Sequence, residues 1–132
     1  MTRLEKAKKL NLAGWRVLQN EALADRECNG IGADWFPFWL RWLVSFACPF
    51  LVLAADIHDM EYYYGGTEND RRAADARFLA NGYILAEYHF RWIPPLKWLA
   101  EWLTRRMYRI LRLFGETAWH ENLSNTGKEK TP

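Results

Sequence analysis

The segment AADIHDMEYYYGGTENDRRAADARFLA, Ala54 to Ala80, carries two helical patterns around one turn. Gly65-Gly66 ends the helix before it. Thr67 suits the N-cap of the helix after it, and Asp70, three residues on, is placed as a capping-box partner or dipole-matched acid. The spacing predicts an antiparallel helix hairpin about Gly65-Gly66. His58 and Asp75 lie at nearly equal chain distances from Gly66, so the hairpin sets them at similar heights. Tyr62 falls one turn after His58, on the same face. A carboxylate bonded to one imidazole nitrogen fixes the tautomer and leaves the other nitrogen as a base. Asp59 is rotated by about 100° from His58, so it serves another direction and could hold a cation beside the base. The plainer alternative is that Asp75 is a solvated surface acid.

Working outward, apolar residues from Trp39 to Tyr64 fall on nearly all sides, which predicts a buried helix broken or kinked at Pro49. Leu4 to about Glu27 reads as an amphipathic helix, with Leu4, Trp15, Leu18 and Ala22 near one face. Cys28 to Phe38 is punctuated by Gly30, Gly32 and Pro37 and reads as a loop. The helix after Thr67 runs to about Phe90, and Pro94-Pro95 stops anything helical before it. A last amphipathic helix is expected from Leu96 to Phe114, closed at Gly115. The expected architecture is all-α: one small domain over residues 1–120, with the hairpin at its centre and a disordered polar tail over residues 121–132.

The chain has 132 residues, enough for one domain with a modest core, and eight tryptophans. A formal net charge of +2 gives no argument for a nucleic-acid partner. Cys28 and Cys48 allow one disulfide, and a reducing compartment is the simpler reading. The N-terminus is positive with no apolar stretch behind it, so no signal peptide is expected. The most apolar run, Trp42 to Ala55, is shorter than the ~20 residues of a membrane-spanning helix. His89 and His120 make no zinc pattern with the cysteines, and there is no Walker loop, Gly-x-Ser-x-Gly or dinucleotide fingerprint.

HDMEY (His58 to Tyr62) and AADARF (Ala73 to Phe78), preceded by CNGIG (Cys28 to Gly32), resemble the phospholipase A2 superfamily, above all its short, cysteine-poor, parvovirus-like variant. The resemblance covers about Cys28 to Ala80 and departs from the family loop at Asn29 and Ala33. It implies calcium-dependent hydrolysis of phospholipid esters. His58 would be the general base, Asp75 would orient it, and Tyr62 would bond to Asp75. Ca²⁺ would be held by Asp59 with carbonyls of Gly30, Gly32 and Cys28, a set of hard oxygen donors. The layout, with YRILRLFGETAW (Tyr108 to Trp119), is also similar to a bacterial and phage domain family of unknown function. The implied setting is cytoplasmic or associated with a phage particle.

The last helix shows two stripes. Leu96, Leu99, Leu103, Met107, Ile110 and Phe114 are expected to face the core. Trp98, Trp102, Arg105, Arg109 and Arg112 share another face, and tryptophan with arginine suits a lipid headgroup interface. FPFWLRW, Phe36 to Trp42, is a second candidate patch, with core as its equal alternative. Equally, the tryptophans could pack on the N-terminal helix and the arginines pair with acids elsewhere. The second functional reading is therefore a non-enzymatic relative that binds a membrane or a protein partner through this face.

Overall fold

The computed structural model describes residues 2–20, 22–23 and 49–126. Among them there are four α-helices and no strand: α1 (Arg3–Lys9), α2 (Val52–Tyr64), α3 (Glu68–Phe90) and α4 (Pro94–Thr126). Two 3₁₀ turns, Trp15–Leu18 and Pro49–Leu51, accompany them. The loop around Cys28, Gly30 and Gly32, the Phe36 to Trp42 patch and Cys48 lie outside the described residues.

The α2–α3 hairpin forms as its sequence signals predict. Asp70 N–H donates to Thr67 Oγ1 at 3.2 Å and Thr67 N–H donates to Asp70 Oδ2 at 2.9 Å. These reciprocal bonds satisfy two amides that the first helical turn would otherwise leave without partners. Helix α2 is buried on most of its circumference, from Leu53 to Tyr62 with only Asp59 less enclosed. The central core includes the fully enclosed Leu12, Leu18, Leu51, Ile57, Met60 and Leu85. Burial of each such side chain contributes roughly 1.5–3 kcal/mol against its exposed state.

The N-terminal segment differs from the expected helix to Glu27. Thr2 caps α1 through Glu5 N–H at 3.1 Å, but α1 ends at Lys9. Asn11 and Gly14 follow at positive φ, 52° and 80°, which no α-helix continues through. The chain then folds back on the core. Asn81, fully buried in α3, holds it there: Ala13 N–H donates to Asn81 Oδ1 at 2.7 Å, and Asn81 Nδ2 donates to Ala13 O at 2.9 Å. Both polar groups of that peptide segment are thereby satisfied away from water.

Helix α4 begins at Pro94, whose missing N–H costs nothing at a first helical position. It continues through Gly115 to Thr126, so it also takes in residues 121–126. Gly115 is not a terminator here. A Cβ on it would lie 2.6 Å from Tyr62 Oη, so the glycine lets α4 approach α2. A Cβ on Gly82 of α3 would collide with Thr104 of α4 in the same way. The buried stripe of α4 is therefore Ala100, Thr104, Met107, Leu111, Gly115 and Trp119. Leu96 and Leu99, expected in the core, are exposed. Small residues fill the stripe where the backbones come close, and the leucines are displaced outward.

Candidate active site

Helices α2, α3 and α4 meet around the carboxylate of Asp75. Each helix contributes what its sequence periodicity allows: His58 and Tyr62 one turn apart on α2, Arg71 and Asp75 one turn apart on α3, and Arg112 on α4. Asp75 is 0% exposed and His58 5%. His58 Nε2 lies 2.7 Å from Asp75 Oδ1. Tyr62 Oη donates to the same oxygen at 2.8 Å. Arg112 Nη1 donates to Oδ2 at 2.7 Å, and Arg71 Nη1 is 3.6 Å from Oδ2. Both carboxylate oxygens are thus occupied, one by the imidazole and phenol, the other by cations.

Burial by itself would raise the pKa of Asp75, but the bonds from His58, Arg112 and Tyr62 outweigh it and hold the carboxyl below its ordinary value. Burial pushes the Tyr62 phenol well up, and the neighbouring Asp75 charge pushes it further, so Tyr62 remains a donor. Glu68 completes the charge balance. It accepts from Arg71 Nε and Nη2, both at 2.9 Å, and from Arg112 Nη2 at 3.4 Å. The bidentate Arg71 bond holds the Glu68 pKa down.

Aromatic rings enclose the pair. His58 stacks tilted on Tyr62 at 4.2 Å and meets the edge of Phe78 at 5.5 Å. Trp119 packs edge-on against Tyr62 at 5.0 Å, and its Nε1 donates to Gly66 O at 3.3 Å. Trp119 therefore fastens α4 to the hairpin turn.

The three residues expected to act together, His58, Asp75 and Tyr62, are in direct contact. Asp75 is not the solvated acid of the plainer alternative. Arg71, Arg112, Glu68 and Trp119 join them unannounced by the motifs of the sequence. Arg71 had a signal, standing four residues before Asp75 on the same helix. Arg112 was assigned to the outward stripe with Trp98 and Trp102, but it turns inward to Asp75. Its signal is angular: on a 3.6-residue helix it lies within about 60° of Gly115 and Trp119.

Asp59 sits on α2 beside His58, less buried than its neighbours. Among the described residues, no group of three His, Cys, Asp or Glu side chains could hold a metal ion. The carbonyls of Cys28, Gly30 and Gly32, expected to share a cation with Asp59, lie outside the described residues.

Trp98, Trp102, Arg105 and Arg109 are exposed on α4. Trp98 is 64% and Trp102 46% exposed. No helix among the described residues is long and apolar enough to cross a membrane.

Comparison with models of known protein families, with curated proteins and with solved structures gave no match.

Proposed function

We propose that the chain hydrolyses phospholipid esters in the manner of a phospholipase A2, with His58 as general base. The observation that carries this reading is the 2.7 Å contact of His58 Nε2 with Asp75 Oδ1, which commits one ring nitrogen. Nδ1 is then the nitrogen that takes a proton from water as the oxygen attacks the ester carbonyl. The imidazolium formed is stabilised by Asp75, which remains ionised because Arg112 and Arg71 face its other oxygen. The same imidazolium returns its proton to the departing alkoxide, so one proton is carried from water to the leaving group. Tyr62 fixes the orientation of Asp75 from the same side as His58. A calcium ion, held by Asp59 with the carbonyls of Gly30, Gly32 and Cys28, would polarise the ester carbonyl and balance the phosphate charge.

The test is fatty-acid release from mixed anionic vesicles as Ca²⁺ is titrated into wild type, His58→Ala and Asp59→Ala. Release that needs calcium and is lost in both variants is the expected result. Folded wild type that neither binds calcium nor releases fatty acid overturns it.

A second reading is favoured by the burial of His58 and the exposure of Trp98 and Trp102. In it the hairpin is scaffold only, and the Trp/Arg face binds a membrane or a protein partner. Vesicle binding without release from any phospholipid would select that reading.

A further inference from the structure

The turn between α3 and α4 and the first turns of α4 hold the largest apolar side chains on the described surface. Trp92 is 83% exposed, Trp98 64%, Leu99 51% and Ile93 50%. Contiguous exposure of this kind marks an interaction surface. Its chemistry changes in order along α4. Leu96 and Leu99 come first, Trp98 and Trp102 share and follow their turns, and Arg105, Arg106 and Arg109 come last. At about 1.5 Å per residue, the arginines stand roughly 9–15 Å beyond Leu99. Hydrocarbon, aromatic interface and charged headgroup follow one another in that order in one leaflet of a bilayer.

The arginines also form a hollow. Trp102, Arg105, Arg106 and Arg109 line a space of about 190 Å³. The Arg106 guanidinium lies 4.9 Å over the Trp102 ring, and Arg105 Nη1 reaches Tyr83 Oη at 3.4 Å. Among the described residues, the carboxylates in ion pairs are matched with Arg3, His58, Arg71, Arg77, Lys97 and Arg112, and none with these three arginines. Like charges that line one hollow repel one another until an anion joins them, and the planar guanidinium forks match phosphate oxygens. The charges nearer the tip are already balanced or covered. Lys97 pairs with Glu87 at 2.6 Å, and Arg91 lies 4.9 Å over the Trp92 ring.

We propose that the Trp102–Arg105–Arg106–Arg109 hollow takes the phosphate of an anionic phospholipid headgroup, with the α3–α4 turn seated in the bilayer beside it. The phospholipid reading of the chain supplies the source of the phosphate. The surface itself is separate from the His58–Asp75 pair, so the two can fail independently.

The test is co-sedimentation with phosphatidylcholine vesicles, with and without phosphatidylglycerol. Wild type and His58→Ala should bind the anionic vesicles equally, in a salt-sensitive way. The triple variant Arg105→Gln, Arg106→Gln, Arg109→Gln should bind about 100-fold more weakly, near fivefold for each charge lost at an anionic surface. Trp92→Ser with Ile93→Ser should weaken binding severalfold and leave its salt dependence unchanged. In the unmutated protein, brominated acyl chains should quench a tryptophan signal that Trp92→Phe lacks, which needs no destabilising substitution. Equal binding by the triple variant overturns the proposal. So does binding of inorganic phosphate without binding of vesicles, which would make the hollow a site for a soluble anion. Self-association abolished by Trp92→Ser with Ile93→Ser, with no vesicle binding, would assign the face to a second copy of the chain. Hydrolysis of a monomeric short-chain phospholipid separates the two readings. Vesicle binding by a wild type that lacks it removes the hydrolase reading alone.

Discussion

The two ends of α4 use similar residues in opposite ways. Its first turns point Leu96, Leu99, Trp98 and Trp102 outward. Its later turns point Met107, Leu111 and Trp119 inward and bring Arg112 to a buried carboxylate. Apolar character does not decide which way a side chain faces. The neighbouring helix does: at the first end α4 crosses Gly82 closely with Thr104 against it, and Ala100 is buried one turn before. At the second end α2 and α3 present Tyr62 and Asp75, and larger partners are drawn in.

This contrast predicts substitutions of very different size at the two ends. Asp75→Ala leaves His58, Tyr62, Arg71 and Arg112 around an empty centre, and should cost about 3–5 kcal/mol in urea unfolding. A cost near zero would mean that the cluster is solvated in solution. The pH dependence adds a sign. Because the folded pKa of Asp75 is lowered, its contribution is full above the unfolded value of about 3.9 and is lost as pH falls through the folded value. Asp75→Asn should therefore flatten the acid limb of the stability profile. An unchanged acid limb would show that other carboxylates control it.

Arg112→Met keeps the stem and removes the charge. It should cost about 2 kcal/mol, less than a fully enclosed partner because the side chain is partly exposed. It should also raise the Asp75 pKa, which carbon-detected NMR of the carboxyl would register. No movement would mean that Arg71 and His58 suffice.

Thr67→Ala removes one bond of the capping box and should lower stability by about 1 kcal/mol by thermal or urea unfolding. Trp92→Ser, at the opposite end of the scale, should change stability by less than about 0.5 kcal/mol. A larger loss would place Trp92 in the core and erase the contrast between the two ends.

The hairpin and its contents were legible because the signals are local. Gly65-Gly66, Thr67 and Asp70 set the turn, and equal spacing from it placed His58 opposite Asp75. The N-terminal segment was misread because apolar periodicity continues through Asn11 and Gly14, where the backbone turns left-handed. The inner face of α4 is not legible in its leucines, since Leu96 and Leu99 point outward. Close helix crossings select Ala100, Thr104 and Gly115 instead, and such residues carry little hydrophobic signal. Gly115 read as a helix end because a glycine required by a neighbour looks the same in sequence as one required by a turn. Arg112 was grouped with the surface arginines, since nothing local marks one arginine as paired across the fold.

Gly115 also settles a mechanical matter. With Tyr62 seated against its bare backbone, α4 cannot slide along α2 without driving a Cβ into the phenol. The helix is a rod of fixed register, and Trp98 and Arg112 are separated along it by roughly 20 Å. If Arg105 to Arg109 lie at a headgroup layer, the His58–Asp75 pair beside Arg112 is held at a set standoff of about 5–10 Å along the rod, and less as it leans. A group lying in that layer would have to climb out of its plane to meet His58.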